Sequence, residues 1–317
     1  MNGRLRRLKR WDKGNEAPPY SVVLVPTNYC NLRCRMCGTQ IRWREEGDNA
    51  AKIFKRDENK ELSFEKIFRL INDAEKMCVE WVSITGGGEP FFRKEKSMKI
   101  LRSIKGAGLH GDAITNGTMF KKDDVRNIVA LDWDNLTFSI DAPRAEVHDN
   151  LRNAPGTFKR ATKNLLRFKK IKSEMNSKKP GIAINTVLTE LNYSYLPEMA
   201  IFADIMNCFR IDLKPLRHNQ YLQNLEISDT KKLLKAIEKF TELADRFGIK
   251  NNAKDVRREF EERKNDEKEK KQKGGCCFIL RHTLLQTISE NFCPHGRRSC
   301  AMLSHGEKRR KHKKPAS

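Results

Sequence analysis

The chain has no apolar run of about 18 residues, so no membrane-spanning helix is expected. Its basic start, "MNGRLRRLKRWDKG", has no apolar stretch behind it and does not read as a secretory signal. These two absences predict a cytoplasmic protein. In that compartment its nine cysteines are expected to be reduced thiols or metal ligands, not disulfides. At 317 residues the chain can bury a sizeable core without covalent staples. Acidic residues are in deficit: 41 Asp and Glu against 64 Lys and Arg leave a net charge of +23. Residues 1–14 and residues 301–317 each contribute +5 of this. Such ends read as solvated, disordered tails, and they leave contact with nucleic acid open. No stripe of aromatics alternates with the basic residues, which argues against a single-strand nucleic-acid binder.

Two patterns alternate along the chain. Short β-rich runs fall at 21–26, 80–85, 111–115, 135–140, 181–188 and 210–216. Amphipathic helical stretches are predicted at 63–77, 94–106, 122–130, 157–173, 195–206 and 228–247. In the first of these, Phe64, Ile67, Phe68, Ile71 and Ala74 recur at helical spacing, and Ser63 is placed to cap it. Six strands alternating with six helices imply a parallel α/β sheet. A closed eight-unit barrel takes about 250 residues. Six units over 21–250 fit a partial (β/α)6 TIM-like barrel better, with a doubly wound open sheet as the rival. The expected layout is a basic segment over 1–20, the barrel core over 21–250 and a charged linker or helix over 251–273. A small cysteine-containing module over 274–303 and a basic disordered tail over 304–317 complete it.

In parallel α/β folds, chemistry gathers past the C-terminal ends of the strands. Those positions here carry Thr27 and a three-cysteine loop, then "TGGGEP", "TNG", "SID", Asn185 with Thr186, and Lys214 with Pro215. The loop, "NYCNLRCRMCG", holds Cys30, Cys34 and Cys37 and lacks a fourth cysteine. A structural zinc wants four protein ligands in a closed shell. Three soft thiolates on one tight loop suit an iron–sulfur cluster with one iron left open. The zinc alternative would need a fourth ligand such as His110 or His148. Cys78 and Cys208 read as small core residues. Asn116-Gly117 reads equally as a turn, and His148-Asp149 equally as a helix-capping turn.

"CNLRCRMC" at this place, "GGGEP" after the second strand and "SIDAPRAEVHDNLR" after the fourth resemble the radical S-adenosylmethionine (radical SAM) enzymes. The resemblance covers roughly residues 18–300, and the C-terminal module looks like the SPASM or twitch extensions of members that modify peptides. It implies a [4Fe–4S] cluster on Cys30, Cys34 and Cys37, with the open iron chelating the methionine end of S-adenosylmethionine. It implies that Gly87, Gly88 and Glu89 meet the methionine amino group. Ser139 and Asp141 would contact the ribose and carboxylate region, and Arg152 would pair with the carboxylate. One-electron cleavage of the C5′–S bond would give a 5′-deoxyadenosyl radical that abstracts hydrogen from a substrate, a peptide or protein. An electron donor such as flavodoxin or ferredoxin is implied too. Met36 stands where the family usually places an aromatic beside the adenine, and "SIDA" replaces the commoner "SIDG".

In the module, Cys276 or Cys277 would open a small hairpin and Cys293 would close it, with Cys300 beyond. An auxiliary iron–sulfur cluster is the functional reading; a zinc knuckle with His282 or His295, or plain thiols, is the other. Two further functional classes compete: a nucleoside- or RNA-modifying radical SAM enzyme, and a non-catalytic iron–sulfur or zinc binding protein. The second would have no use for the glycine-rich rim.

Overall fold

The computed structural model describes residues 3–38, 61–216 and 220–272. The chain divides into two units, Met1–Lys264 and Asn265–Ser317. Of the second, only 265–272 are described, as the end of a helix. The module at 274–303, with Cys276, Cys277, Cys293 and Cys300, and the tail at 304–317 lie outside the described residues.

The first unit is built on a seven-stranded sheet in the order β1-β2-β3-β4-β5-β6-β7, every pair parallel. The strands are β1 Ser21–Leu24, β2 Trp81–Ile84, β3 His110–Thr115, β4 Asn135–Ser139, β5 Gly181–Leu188, β6 Arg210–Pro215 and the two-residue β7 Lys250–Asn251. Each strand joins beside the one before it, with no reversal of order. A doubly wound sheet would reverse at a switch point. The sequential order is that of a barrel left open between its first and last strands.

The helices are α1 Gly3–Asp12, α2 Phe64–Lys76, α3 Lys94–Gly106, α4 Lys122–Ala130, α5 Ala145–Arg152, α6 Thr157–Glu174, α7 Leu196–Ile205, α8 Thr230–Arg246 and α9 Ala253–Gln272. Alternation along the strands decides which face of the sheet they cover. Leu24, Val82, Ile84, Ala113, Leu136, Phe138, Ile182, Ile184, Ile211 and Leu213 point to one face and join the helices' apolar stripes in one core. Ile67, Ile71 and Ala74 of α2 and Leu233, Ile237 and Phe240 of α8 supply the helix side. Ser63 caps α2, its hydroxyl accepting from the Lys66 amide at 3.3 Å.

Three features differ from the sequence reading. The basic N-terminus is not a free tail: residues 3–12 form α1, and Arg7 ties it down. Its Nη1 donates to the Pro19 carbonyl at 2.5 Å, it pairs with Glu80 at 3.2 Å, and its guanidinium lies over the Tyr20 ring at 5.7 Å. Cys78 is exposed in a left-handed turn with φ of 54° after α2, whereas Cys208 is buried as expected. The short helix α5 stands inside the motif that reads as a turn. Among the described residues, no helix is long and apolar enough to cross a membrane.

Candidate active site

The cysteine loop leaves the C-terminal end of β1 and is held by the next two rim loops. The Gly88 amide donates to the Thr27 carbonyl at 3.1 Å, and the Glu89 amide donates to the Tyr29 carbonyl at 2.8 Å. These contacts explain two of the glycines. A Cβ on Gly88 would stand 2.0 Å from the Tyr29 carbonyl oxygen, and one on Gly87 would stand 2.0 Å from Asn28 Oδ1. The glycine run therefore lets the second loop lie against the first.

Glu89 is 2% exposed and anchors the third loop. Its carboxylate accepts from Thr115 Oγ1 at 2.6 Å, from the Asn116 amide at 2.7 Å and from the Phe91 amide at 3.2 Å. Burial raises its pKa, and those donors oppose the rise. Asn116 then reaches back to the cysteine loop: its Nδ2 donates to Asn31 Oδ1 at 2.9 Å. "TNG" is thus a turn, with Gly117 at φ +74°, and also a brace.

The far side of the loop rests on α5. The Arg35 amide donates to the Leu151 carbonyl at 2.9 Å. Leu32, Cys34, Met36, Leu151, Leu222 and Leu225 form a second apolar cluster, with Cys30 and Cys37 packed at its edge. Met36 packs within the protein here. Arg152, at the end of α5, is buried: its Nη1 donates to Cys34 Sγ at 3.7 Å and its Nη2 lies 2.8 Å from Asp141 Oδ2. Among the described residues, its Nε is buried with no hydrogen-bond partner.

Asp141 is 1% exposed; its Oδ1, carbonyl and amide are hydrogen-bonded, while its Oδ2 has only the Arg152 ion pair among the described residues. Its Oδ1 accepts from the Val187 amide at 3.1 Å, its carbonyl accepts from Asn192 Nδ2 at 2.7 Å, and its amide donates to His148 Nδ1 at 3.2 Å. His148 is therefore a neutral acceptor. Burial, above all, lowers its pKa to about 4. Asp149 is the capping residue of the pair, accepting from the Gly156 amide, Thr157 Oγ1 and the Phe158 amide at 2.6, 2.6 and 2.7 Å at the start of α6. Ser139 ends β4 one layer below Asp141, half-buried on the face away from the main core.

The thiols are tuned by burial and by two donors. Burial pushes the Cys30 thiol up to about 11, against the Leu32 amide that donates to its sulfur at 3.4 Å. Burial likewise raises Cys34, and the Arg152 guanidinium works against it. Metal ligation would take these protons off. A single tetrahedral ion would need sulfurs gathered about 2.3 Å from one point. Among the described residues, no three His, Cys, Asp or Glu side chains are so gathered. His148 is engaged by Asp141, and His110 begins β3 at the opposite end of the barrel, stacked on Trp81 at 3.8 Å between ring centroids. Among the described residues, neither of these two histidines stands as a fourth ligand. The donor set fits a multi-iron cluster, in which each thiolate takes its own iron. The orphaned Arg152 Nε beside it fits a cofactor carboxylate.

The family model of the radical SAM superfamily matches residues 24–203. The chain belongs to the radical SAM superfamily. It is 29% identical over 182 residues to the tungsten-containing aldehyde ferredoxin oxidoreductase cofactor-modifying protein of Pyrococcus furiosus, a match covering 56% of this chain and 46% of that one. It is 27% identical over 201 residues to the mycofactocin maturase MftC of Mycobacterium tuberculosis, covering 62% and 45%. The chain thus spans about half the length of the curated relatives it matches. Among solved structures, Streptococcus suis SuiB bound to S-adenosylmethionine superposes with a TM-score of 0.61 at 18% identity, covering 78% of this chain and 53% of that one. The same protein bound to precursor peptide SuiA gives 0.60 at 18% identity, covering 78% and 52%.

Within this radical SAM chain, the rim gathers Cys30, Cys34, Cys37, Glu89, Asp141 and Arg152 as the sequence expected. Each also has partners within the protein that the sequence did not show. Gly87 and Gly88 face the cysteine loop, Glu89 is filled by three protein donors, and Arg152 is shared between Asp141 and Cys34. The Arg152–Cys34 contact went unread because the two lie 118 positions apart and no pattern links them.

Proposed function

We propose that this chain is a radical SAM oxidoreductase whose Cys30, Cys34 and Cys37 hold a [4Fe–4S] cluster, and that its substrate is a peptide or protein. The observation that carries the reading is the three-thiol loop, braced by the glycine loop on one side and by the Asp141–Arg152 pair on the other. When bound, the cluster supplies the electron that cleaves the C5′–S bond of S-adenosylmethionine to methionine and a 5′-deoxyadenosyl radical that takes hydrogen from substrate. The protein's own part is placement and exclusion of water. Arg152 offers its spare Nε to a carboxylate. Glu89 fixes the two loops, leaving the Gly87 and Gly88 carbonyls, with its own carboxylate behind them, to meet the methionine amino group. Asp141 sets Arg152, and Ser139 lines the approach to the ribose. Met36 forms part of the apolar wall toward the adenine.

The peptide reading is supported by relatives named maturases and by a fold neighbour seen with a precursor peptide. An auxiliary iron–sulfur cluster on Cys276 or Cys277 with Cys293 and Cys300, in a module over 274–303, belongs to the same proposal, on the cysteine spacing alone. So do a flavodoxin or ferredoxin as electron donor and a cytoplasmic setting. The experiment is anaerobic reconstitution with iron and sulfide, then turnover with S-adenosylmethionine and dithionite. Release of methionine and 5′-deoxyadenosine in equal amounts is expected. Iron loading without cleavage would refute the enzyme reading.

A further inference from the structure

Helix α6 carries seven Lys or Arg residues against one acidic residue, Glu174. Helix α8, of nearly equal length, has five against three. The first turn of α6 holds Lys159 and Arg160 and no acid. Cations there oppose the helix dipole, which favours acids at an N-terminus. The fold gains nothing visible from this placement: Lys159 and Lys163 are exposed and make no ion pair among the described residues. Lys170 is 78% exposed and has only a distant pairing with Glu174, at 3.9 Å. The charge lies beside an apolar row. Ala161, Leu165, Phe168 and Ile171 turn into the core. Phe158, Thr162 and Leu166, spaced by four, form the next row round the helix, and the three lysines form the row outside it. Leu166 is 47% exposed, and a hollow of about 600 Å³ is lined by these two rows. Helix α7 meets α6 through the Phe158 and Phe202 rings, 5.8 Å apart, and through Lys169 Nζ, which donates to the Ile205 carbonyl at 3.0 Å.

The apolar row begins next to the cysteine loop. The Phe158 amide donates to Asp149 at 2.7 Å, and its ring lies 5.7 Å from that of His148. Both partners belong to α5, the helix whose Arg152 reaches Cys34 at 3.7 Å. One short helix, about 10 Å across, thus separates the near end of the hollow from the thiols. An electron crosses a packed layer of that thickness directly.

We infer that this face of α6 docks an acidic one-electron carrier protein, an apolar side chain of the carrier resting on Leu166 and its carboxylates meeting Lys159, Lys163 and Lys170. The inference rests on the radical SAM reading, which requires one electron from outside the chain for each cleavage. The transfer oxidises the carrier by one electron and reduces the cluster by one, and no group moves with it. Charge complementarity selects the partner. A carrier with an acidic face neutralises the three lysines and relieves their opposition to the dipole, whereas a basic partner is repelled. A single-stranded nucleic acid stacks on several aromatic rings, and this face offers only the half-buried Phe158. A bilayer takes apolar side chains that stand beyond their flanking cations, whereas Leu166 lines a hollow beside lysines. Redox pairs use small interfaces that release quickly, and a single helix face is of that kind.

The test uses the full chain reconstituted with iron and sulfide, kept anaerobic. The probes are a flavodoxin reduced to its hydroquinone and, as a small reductant that needs no docking, dithionite. Stopped-flow absorbance follows cluster reduction in the wild type, in Lys159→Glu/Lys163→Glu and in Leu166→Gln. The control is Lys235→Glu/Lys239→Glu on α8, which makes the same charge change elsewhere. Reduction by flavodoxin is expected to fall at least about tenfold in the α6 double variant, less in Leu166→Gln, and little in the control. In the wild type it should slow as salt is raised. Reduction by dithionite and binding of S-adenosylmethionine should be the same in all four proteins. Calorimetry with oxidised flavodoxin should rank their affinities in the same order. Equal losses in the two double variants, equal losses with dithionite, a salt-insensitive rate, or no binding or electron transfer from flavodoxin to the wild type would each overturn the docking face. If the α6 double variant keeps its flavodoxin rate and loses affinity for a single-stranded RNA of about 12 nucleotides, the face belongs to nucleic acid and the inference fails. Cofactor cleavage by the wild type is read separately. If the cluster is reduced but S-adenosylmethionine is not cleaved, the enzyme reading falls and the docking face stands on the reduction rates.

Discussion

The guanidinium of Arg152 stands 3.7 Å from the sulfur of Cys34 while the same group pairs with Asp141 at 2.8 Å. One side chain from α5 thereby links the cysteine loop of β1 to the rim of β4. A positive charge at this distance favours the thiolate over the thiol, against the burial that otherwise raises Cys34.

Replacing Arg152 by Gln should therefore slow alkylation of Cys34 in the metal-free protein at mildly alkaline pH. It also leaves Asp141 as an unpaired buried charge, so stability should fall by about 3 kcal/mol. Alkylation rates followed by mass spectrometry of the Cys34 peptide check the first effect, and urea denaturation checks the second. An unchanged or faster alkylation rate would show that Arg152 does not act on the sulfur.

Gly88→Ala should push the two rim loops apart, because the added methyl would sit 2.0 Å from the Tyr29 carbonyl. Overpacking of this kind costs about 1–3 kcal/mol. The variant should melt at lower temperature and retain less iron after reconstitution. Gly106→Ala is the control. It closes α3 with nothing within 4 Å of the new Cβ, and it should be neutral or slightly stabilising.

His148 makes the rim sensitive to acid. Its pKa falls to about 4 in the folded protein, chiefly through burial, from an ordinary value of 6.5. Between these values the unfolded chain takes up a proton that the folded chain refuses. Its contribution is thus fully present above 6.5 and is lost as pH falls toward 4, by at most about 3 kcal/mol. His148→Asn, which keeps an acceptor for the Asp141 amide, should flatten the urea midpoint over this range. Identical pH profiles for the two proteins would remove His148 from the cause.

Much of this was legible in the sequence, for physical reasons that differ by residue. All six main strands and six helices lie within a few residues of their predicted places, because periods of two and 3.6 report which face is buried. Periodicity alone did not separate the barrel from the doubly wound sheet; the count of six units over residues 21–250 favoured the partial barrel, and the strand order bears it out. Strand order is a long-range property, and local patterning carries no trace of it. Helix α5 was hidden because it is short and its buried face includes His148 and Arg152, polar residues that spoil the apolar count. The N-terminal helix was hidden because Arg7 docks it through hydrogen bonds and a ring contact rather than an apolar stripe. The roles of Gly87 and Gly88 split the same way. Their need for bare backbone was readable, but that Asn28 and Tyr29 create the need was not.

The central claim is that three thiolates leave one iron open for S-adenosylmethionine. Low-temperature electron paramagnetic resonance of the reconstituted, dithionite-reduced protein tests it most directly. Adding S-adenosylmethionine should shift the signal of the reduced cluster, and Cys34→Ala should lose both the signal and the shift. A reduced-cluster spectrum that stays the same when S-adenosylmethionine is added would contradict the claim.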